Sequence, residues 1–390
     1  MAEPNWANKT VFTGDNLYIM RRMNSGTVDL IYLDPPFNSK RDYAAPIGSQ
    51  AAGAEFSDTW TLRDVDAEWI NLIEDKHPAL HRILLAATTD SDKSYLAYMA
   101  VRLLELHRLL AATGSLYLHC DPTMSHYLKL LLDAIFGRSQ FQNEFVWYYS
   151  GGGASKKRWA RKHDVILFYA RSARWTFNAD EVRVPHKWTK GQRRADGSER
   201  DPRGKLADDV WQGHSVMPWS KERTGYPTQK PLTLLQRIVK ASSNMGDIVL
   251  DPFCGCATTM VAADDLQRQW VGIDISPKAA HLVMERIEQR QGMFPDIIHR
   301  TDLPQRTDLG KLPPYNCREN RETLYGQQGG DCAGCRDHFQ PRHLEVDHII
   351  ADKKGGTDHI DNLQLLCGHC NRVKGDRGME YLRTKLQLGT

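Results

Sequence analysis

The sequence has no run of residues that could cross a membrane as a helix. None of its apolar stretches approaches the roughly 18 residues that a bilayer span requires, and Met1–Phe12 lacks a basic region followed by an apolar run. Both absences argue against a membrane protein and against a secreted one. We therefore expect an intracellular, cytoplasmic protein with no membrane partner.

Repeat architecture and wholesale disorder are also missing. The chain shows no low-complexity tract and no internal repeat, and of its 390 residues 41% are hydrophobic and 25% are charged. This composition is ordinary for a folded protein with a packed core. The length fits one large α/β domain together with a smaller satellite domain.

The chain contains no Gly-x-Gly-x-x-Gly string, which disfavours a dinucleotide as ligand. Strand-like and helix-like patterns nevertheless alternate, as in Thr10–Thr13, Asn16–Met23 and Val28–Leu33. Such alternation predicts an α/β protein with a mostly parallel sheet and crossover helices. Further helices are predicted at Tyr95–Leu110, Met124–Phe136, Leu232–Ser242, Thr258–Asp264 and Pro277–Gln291, and further strands at Ser115–His119, Val165–Tyr169, Ile248–Leu250 and Trp270–Ile273.

The first strand end that carries chemistry is Asp34–Phe37, an Asp-Pro-Pro-Phe string directly after Val28–Leu33. Parallel α/β sheets bind their ligands at the carboxyl ends of the strands. Asp34 and the carbonyl of Pro35 could each accept one N–H of a base amino group, whose lone pair is otherwise delocalised into the ring. Phe37 offers a flat face to a base that has been extruded from a duplex. The alternative is a proline-stiffened surface turn.

A second strand end, Asp251–Ala257, follows an apolar strand and opens a helix. Its small residues would let the backbone approach a ligand closely. Asp274, which follows the next strand, is suited to binding ribose hydroxyls. Together these two features predict a nucleotide-like ligand that is bound without a phosphate loop.

The order of these motifs resembles that of the amino-methylating DNA methyltransferases of the permuted, or beta, class. The likeness covers roughly Thr10–Gln291 and includes Gly14, Asp15 and the string Tyr226–Pro231. It implies a Rossmann-like methyltransferase fold with a mixed, mostly parallel sheet, S-adenosylmethionine as cofactor and double-stranded DNA as partner. By this resemblance the catalytic residues are Asp34, Pro35, Pro36 and Phe37. The cofactor-binding residues are Asp15, Thr228, Lys230, Asp251, Phe253, Gly255 and Asp274.

Two details of the sequence bear on the chemistry that this resemblance implies. The family usually has a second glycine where this chain has Ala257, a departure of one methyl group. The chain has no Pro-Cys pair, so the thiolate route to carbon-5 of cytosine lacks its usual nucleophile, and Cys254 and Cys256 are interpreted as small loop residues. Because Asp leads the catalytic string, we expect adenine N6 as the target, with cytosine N4 as the second candidate.

Positive charge is concentrated in the middle of the chain. The net charge is only +3, yet the segment 150–225 holds 17 Lys and Arg against 9 Asp and Glu, a local excess of 17 − 9 = +8. Tryptophans are interleaved with these cations: Trp159, Trp175, Trp188, Trp211 and Trp219. Such a mixture suits phosphate contacts and base stacking, and the segment falls where the methyltransferase family keeps its target-recognition region. The alternative is a solvated basic face with core tryptophans.

The C-terminal segment carries two Cys-x-x-Cys pairs. Their thiols, from Cys332, Cys335, Cys367 and Cys370, match the ligand spacing of a tetrahedral structural zinc site. A segment of this size buries little core, so zinc would supply much of its folding energy. The alternative is four free cysteines in a small core.

The same segment, from Leu324 to Arg377, resembles HNH nucleases with a ββα-metal core. The resemblance implies that His348 is a general base that activates water and that Asn362 orients its imidazole. Asp347 and Asn371 would hold one magnesium or manganese ion at the scissile phosphate. The alternative is a zinc-stapled DNA-binding clamp that does not cut.

The predicted organisation follows the motifs along the chain. We expect a catalytic part at 1–149 with an inserted loop at about 42–94, a target-recognition region at 150–225, a cofactor-binding part at 226–296, a linker at 297–323 and an HNH domain at 324–390. The leading hypothesis is a DNA methyltransferase fused to a nuclease, in a restriction–modification, phage or mobile-element context. A methyltransferase acting on RNA or on protein amides is the competing hypothesis, and a homodimer is left open.

Overall fold

The computed structural model describes residues 3–46, 48–58, 73, 77–150, 154–186, 198–199, 201–217, 219–291 and 296–387. The strands are β1 (Thr10–Thr13), β2 (Val28–Leu33), β3 (Asp42–Ala44), β4 (Glu55–Ser57), β5 (Leu110–Cys120), β6 (Phe141–Ser150), β7 (His163–Ala170), β8 (Val210–His214), β9 (Ile248–Asp251), β10 (Gln269–Asp274), β11 (Ile298–Arg300), β12 (Leu344–His348) and β13 (Leu363–Cys367). The α-helices are α1 (Asn16–Arg22), α2 (Pro78–Leu85), α3 (Asp90–Leu109), α4 (Ser125–Phe136), α5 (Leu232–Ser242), α6 (Thr258–Asp265), α7 (Pro277–Gln291), α8 (Arg318–Gln328), α9 (Gly368–Lys374) and α10 (Met379–Leu386).

Nine strands form one sheet in the order β11-β1-β10-β9-β2-β5-β7-β6-β8. The six strands from β11 to β5 are parallel, whereas β7 runs antiparallel to both β5 and β6, and β8 runs parallel to β6. The predicted mixed, mostly parallel sheet is therefore confirmed. In this order β9 lies directly beside β2, although the two strands are far apart in sequence.

Apolar side chains alternate between the two faces of this sheet, because successive strand residues point in opposite directions. Ile31 and Leu33 of β2 pack with α1, α2, α3 and α4 on one face. Leu30 and Tyr32 pack with α5, α6 and α7 on the other. Both faces are thus covered, as a parallel sheet requires. Of the helices in the described ranges, none combines the length and the apolar character needed to cross a membrane.

The inserted segment predicted at about 42–94 is only partly a loop. It contains the β3–β4 hairpin and α2, and its last residues already belong to α3. That helix begins at Asp90, ahead of the predicted Tyr95, because the hydroxyl of Thr89 accepts the backbone N–H of Asp92 and caps it. Local capping chemistry therefore moves the boundary.

The sheet also extends beyond its predicted edges. Strands β6 and β8 add two members that the sequence patterns do not predict, and β11 lies inside the stretch predicted as a linker at 297–323. Farther along this stretch, the backbone N–H of Thr307 donates to Asn24, and Asp308 accepts the N–H of Ser25. The first part of the predicted linker therefore packs on the large unit, because the open edge of β1 accepts a short parallel strand.

The C-terminal unit is built around the two-stranded antiparallel sheet of β12 and β13, with α8, α9 and α10 packed on it. Helix α8 begins at Arg318, ahead of the predicted domain boundary at 324. The unit contacts α1 of the large unit: the guanidinium of Arg21 donates to the carbonyl of Lys354, and Arg22 pairs with Asp352. The two units therefore share a polar interface.

Candidate functional sites

The carboxyl ends of β1, β10, β9 and β2 lie side by side at one edge of the sheet, because these four strands are adjacent and parallel. A cavity of about 390 Å³ opens at this edge. It brings together every residue that the sequence predicts for methyl transfer: Asp15, Asp34, Pro35, Pro36, Phe37, Thr228, Lys230, Asp251, Phe253, Gly255 and Asp274.

Asp34 has two unlike carboxylate oxygens in this cavity. Its Oδ2 lies 2.5 Å from Nζ of Lys230, whose side chain is only 8% exposed. Its Oδ1 is buried and has no hydrogen-bond partner among the described residues. An unsatisfied buried acceptor is rare and costly, so Oδ1 is an open position for an N–H or O–H donor.

A second carboxylate fixes the loop Asp34–Phe37 from behind. The buried side chain of Asp58 accepts hydrogen bonds from the backbone N–H groups of Phe37, Asn38 and Ser39, with lengths between 2.7 and 3.2 Å. Three charge-assisted hydrogen bonds to one carboxylate hold the backbone in a single conformation. Asp58 lies in the inserted segment, and no sequence motif predicts its role.

A buried polar chain supports the same loop. The hydroxyl of Tyr32 lies 2.9 Å from Nδ1 of His119, and Nε2 of His119 lies 3.1 Å from Asp164. The imidazole is fully buried and stacks on the ring of Phe37, with centroids 6.0 Å apart. Burial acts to raise the pKa of Asp164, but the hydrogen bond and charge of His119 outweigh it, so that this pKa is lowered.

Asp251, at the end of β9, is a buried carboxylic acid of the cavity with a strongly shifted pKa. Its carboxylate accepts the hydroxyl of Thr259 and the backbone N–H of Phe253. Burial nevertheless raises its pKa to about 7, and the nearby charges of Asp34 and Asp274 add to the effect. This carboxyl group therefore carries a proton through much of the range in which free aspartate is ionised.

Asp274, at the end of β10, ties two loops together. Its carboxylate accepts hydrogen bonds from the backbone N–H groups of Gly255 and Ser276, each with a length of 2.9 Å, and burial raises its pKa. Gly255 has φ +47°, and a Cβ there would lie 3.0 Å from the ring of Tyr226. Ala257 has φ +70°, which glycine adopts far more easily. The departure from the family pattern at this position therefore strains the backbone as well as adding a methyl group.

The loop after β1 completes the cavity wall. Asp15 caps α1 by accepting the N–H of Leu17, and its carboxylate pairs with Arg102 of α3 at 2.9 Å. The guanidinium of Arg102 also donates to Asn16, whose amide donates to the carbonyl of Pro252. Arg102 thereby connects the ends of β1 and β9.

Across the cavity Thr228, a β-branched residue, has φ +62°, a strained conformation of the kind that concentrates at functional sites.

In the C-terminal unit, the four predicted cysteines form one cluster. The Sγ atoms of Cys332, Cys335, Cys367 and Cys370 all lie within 4.8 Å of one another. Backbone N–H groups of Gly334 and Cys367 donate to Sγ of Cys332. Four converging sulfurs on two knuckles, with N–H donors that stabilise thiolates, fit a tetrahedral zinc ion.

His348 lies at the end of β12, but its hydrogen-bond partner differs from the predicted one. Its Nε2 lies 2.8 Å from Asp358, and the ring of Tyr315 packs on its imidazole with centroids 4.6 Å apart. The amide of Asn362 instead bonds the backbone of Ile350 and Thr357. Asn362 therefore shapes the loop that follows His348, and Asp358 contacts the imidazole directly.

Asp347 and Asn371 lie on β12 and α9 of the same unit. Oδ2 of Asp347 accepts a hydrogen bond from Gln364 at 2.9 Å and forms an ion pair with the buried ammonium of Lys374 at 3.0 Å. The amide of Asn371 donates to Glu345, which leaves its carbonyl oxygen as an acceptor. Mg²⁺ and Mn²⁺ prefer oxygen ligands such as carboxylate and amide oxygens. The side chains of Asp347 and Asn371 therefore match the ligand chemistry of such an ion.

Several residues of these sites escape prediction because their neighbours in sequence give no motif. Polar residues within apolar elements are the one available indication: His119 interrupts the apolar strand β5, and Arg102 interrupts the apolar face of α3. Asp358 and Lys374 have no comparable indication. Trp188, predicted for the basic segment, lies outside the described residues.

The fold and the cavity define an α/β protein of the methyltransferase type with a small cysteine-clustered module at its C-terminus. A family model described as DNA methylase matches residues 28–285, and one described as HNH endonuclease matches residues 332–377. The chain therefore belongs to the N6/N4 DNA methylase family and carries a C-terminal HNH domain. Both predicted resemblances are confirmed.

Curated relatives align over most of the chain. Type II methyltransferase M.HpaI of Haemophilus parainfluenzae is 28% identical over 285 residues, which are 72% of this chain and 74% of that protein. DNA adenine methyltransferase YhdJ of Escherichia coli (strain K12) is 28% identical over 287 residues, 72% of this chain and 83% of that protein. Among solved structures, the cytosine-N4-specific PvuII DNA methyltransferase aligns with a TM-score of 0.49 and 13% identity, over 76% of this chain and 90% of that one.

The raised pKa of Asp251 predicts a pH-dependent stability. The folded chain holds this proton more tightly than the unfolded chain. The stabilisation that protonated Asp251 adds to the free energy of unfolding is therefore complete at acidic pH and is lost as the pH rises toward about 7. Between pH 5 and 8 the free energy of unfolding of the unliganded protein should fall by roughly 3 kcal/mol more than that of Asp251→Asn. Urea titrations of both proteins at each pH measure this difference, and parallel pH profiles would contradict a proton held by Asp251.

The cysteine cluster predicts that Cys367→Ser lowers the zinc content from about one ion per chain to a small fraction of that. The thermal transition of the C-terminal unit should be lost with it, since the metal supplies folding energy. Elemental analysis after dialysis and calorimetry provide the two measurements. Cys317→Ser is the matched control, because Cys317 only caps α8, and serine retains a capping oxygen. Full zinc in the Cys367 variant would show that the cluster is not the metal site.

Proposed function

We propose that the large unit transfers a methyl group from S-adenosylmethionine to the exocyclic amino group of a base flipped out of duplex DNA. Adenine N6 is the preferred acceptor and cytosine N4 the second. The observation that carries this proposal is Asp34, which lines the cavity: Lys230 holds one carboxylate oxygen, and the other is buried with no hydrogen-bond partner among the described residues. The similarity to YhdJ, a DNA adenine methyltransferase, supports adenine.

In the proposed reaction, Oδ1 of Asp34 and the carbonyl of Pro35 accept the two N–H groups of the base. Both bonds draw the amino nitrogen out of conjugation, so that its lone pair becomes available for attack. S-Adenosylmethionine supplies an electrophilic methyl group on a sulfonium. The nitrogen would bond to the methyl carbon as the C–S bond breaks with its electron pair left on sulfur, and Oδ1 of Asp34 would accept the proton that the nitrogen then loses. Phe37, backed by the ring of His119, provides the apolar face for the base.

Lys230 acts in this proposal as a positioning residue for Asp34. The resemblance assigned Lys230 to the cofactor, whereas its ammonium lies 2.5 Å from the carboxylate and 5.2 Å from the ring of Phe37. A buried ammonium that contacts a carboxylate fixes the orientation of that carboxylate. Its contact therefore supports a role at the base subsite.

The remaining cavity walls suit S-adenosylmethionine. The carboxyl groups of Asp251 and Asp274 line this part of the cavity, and a ligand with sulfonium and ammonium charges would favour their ionised forms. Asp274 and Asp15 offer acceptors for hydroxyl and amino groups, while Phe253 and Tyr226 supply apolar surface. We assign cofactor binding to the ends of β1, β9 and β10 and DNA contact to the basic segment 150–225.

The assignment of Asp34 predicts that Asp34→Ala lowers the rate of labelled methyl transfer to duplex DNA by about 10²–10³-fold, as loss of a preorganised polar contact does. The dissociation constant of S-adenosylmethionine, measured by calorimetry, should change less than about 5-fold, because Asp34 contacts the base. Competition between duplex DNA and RNA of the same sequence identifies the nucleic acid. Transfer that survives in Asp34→Ala would remove Asp34 from the mechanism.

A matched pair at Lys230 separates its two assigned roles. Lys230→Met should lower kcat by about 10–100-fold with little change in cofactor affinity, and Lys230→Arg should restore part of kcat because it keeps the cation. Weakened cofactor binding at unchanged kcat would instead assign Lys230 to the cofactor.

We further propose that the HNH domain cleaves or nicks DNA with Mg²⁺ or Mn²⁺. His348 would act as general base, Asp347 and Asn371 would hold the ion, and Asp358 would orient the imidazole. The 2.8 Å contact between Asp358 and His348 supports this arrangement, because a base is effective only when a partner fixes its ring. A DNA-binding clamp that does not cut is the alternative.

Plasmid nicking with added Mg²⁺ or Mn²⁺ tests this second proposal. His348→Ala should lower the nicking rate at least about 100-fold, and Asp358→Asn should give an intermediate loss because the amide keeps a hydrogen bond without the charge. His343→Ala, an exposed histidine of the same unit, is the control. Wild-type protein that binds plasmid without nicking it under either metal would favour the clamp.

A further inference from the structure

A basic loop connects β6 and β7, and its described part comprises residues 154–162. Trp159 lies near its centre with 95% of its surface exposed. Five cations surround this indole within the loop: Lys156, Lys157, Arg158, Arg161 and Lys162. No ion pair joins Lys156, Lys157 or Arg158 to an acidic side chain in the described part of the chain, so their charge is available to a polyanion.

The exposure of Trp159 contrasts with the burial of the two tryptophans on the strands β6 and β8. Trp147 on β6 and Trp211 on β8 are 4% and 7% exposed and pack in the core. An indole is large and mostly apolar, so leaving it in water forgoes a substantial burial gain. Trp159 is thus almost unpacked against the described residues, and its surface is available to a partner.

The basic loop is anchored beside the loop Asp34–Phe37. Directly after it, Asp164 of β7 contacts His119, whose ring stacks on Phe37. Asp164 lies five steps along the chain from Trp159, which limits the distance between their Cα atoms to roughly 17 Å. This is about five base-pair steps, so a duplex whose target base enters the cavity passes within reach of the indole.

We infer that Trp159 inserts into duplex DNA beside the target base and fills the space that the base leaves when it enters the cavity. The surrounding cations neutralise phosphates and fix the position of the loop. The indole stacks on the bases next to the gap, as apolar wedges and aromatic side chains do in other DNA complexes. This inference rests on the proposed function, because it requires a flipped base.

Methyl-transfer kinetics on two duplexes test the inference. The first is fully paired, and the second has a mismatch at the target base, which lowers the cost of flipping. Trp159→Ala should lower kcat/KM on the paired duplex by roughly 10- to 100-fold, the range expected for one lost base–aromatic stack. On the mismatched duplex the loss should shrink to about 3-fold or less, and Trp159→Phe should retain most of the paired-duplex activity.

Two control variants isolate the role of the indole. Met245→Ala removes an exposed apolar side chain, 67% exposed, at the opposite edge of the sheet, and should leave both rates unchanged. Lys157→Ala should weaken binding to both duplexes alike and reduce the salt dependence of affinity, because it removes a phosphate contact.

The possible outcomes separate the inference from the function on which it rests. Equal losses on the two duplexes in Trp159→Ala, or no loss on either, would overturn the wedge while leaving the methyltransferase intact. Wild-type protein that transfers no methyl group to either duplex would instead refute the proposed function. Fluorescence anisotropy with an unmethylated duplex measures the DNA affinity of Trp159→Ala and checks that this variant still binds DNA.

Discussion

The parallel pairing of β2 with β9 is the constraint on which the rest of the structure depends. Because Leu30 and Ile31 pair in register with Val249 and Leu250, the chain leaves both strands at the same edge of the sheet. Asp251 ends β9, Asp34 directly follows β2, and the two loops line one cavity. Without this pairing the two motifs would be unrelated surface loops.

The same convergence creates an electrostatic problem that the chain handles in three ways. Asp34 is paired with a buried lysine, Asp274 accepts two backbone N–H groups, and Asp251 retains a proton because burial raises its pKa to about 7. The cavity is thus prepared for a ligand that brings positive charge. The acidic residues of the cavity contrast with the excess of Lys and Arg in the segment 150–225, and this contrast is consistent with the proposed division between cofactor binding and DNA contact.

The C-terminal unit adds a second chemical site that is not isolated from the first. Arg21 and Arg22, at the end of α1, contact the loop that holds Lys354 and Asp352, while Asp15 at the start of the same short helix lines the cavity. A rigid helix of two turns therefore connects both units. The cysteine cluster stabilises a module whose own apolar core is small.

The sequence by itself determined the strand ends, their motif residues and the cysteine cluster, since each depends on a short local pattern: an apolar strand followed by Asp-Pro, or two Cys-x-x-Cys pairs. Tertiary structure alone decided the partners of those residues. Asp58 and Arg102 reach the cavity from distant elements, and His119 supports Phe37 from behind. Strand β11 joins the sheet because an open parallel edge was available. Long-range contacts of this kind leave no periodicity in the chain, because they depend on which strands become neighbours after folding.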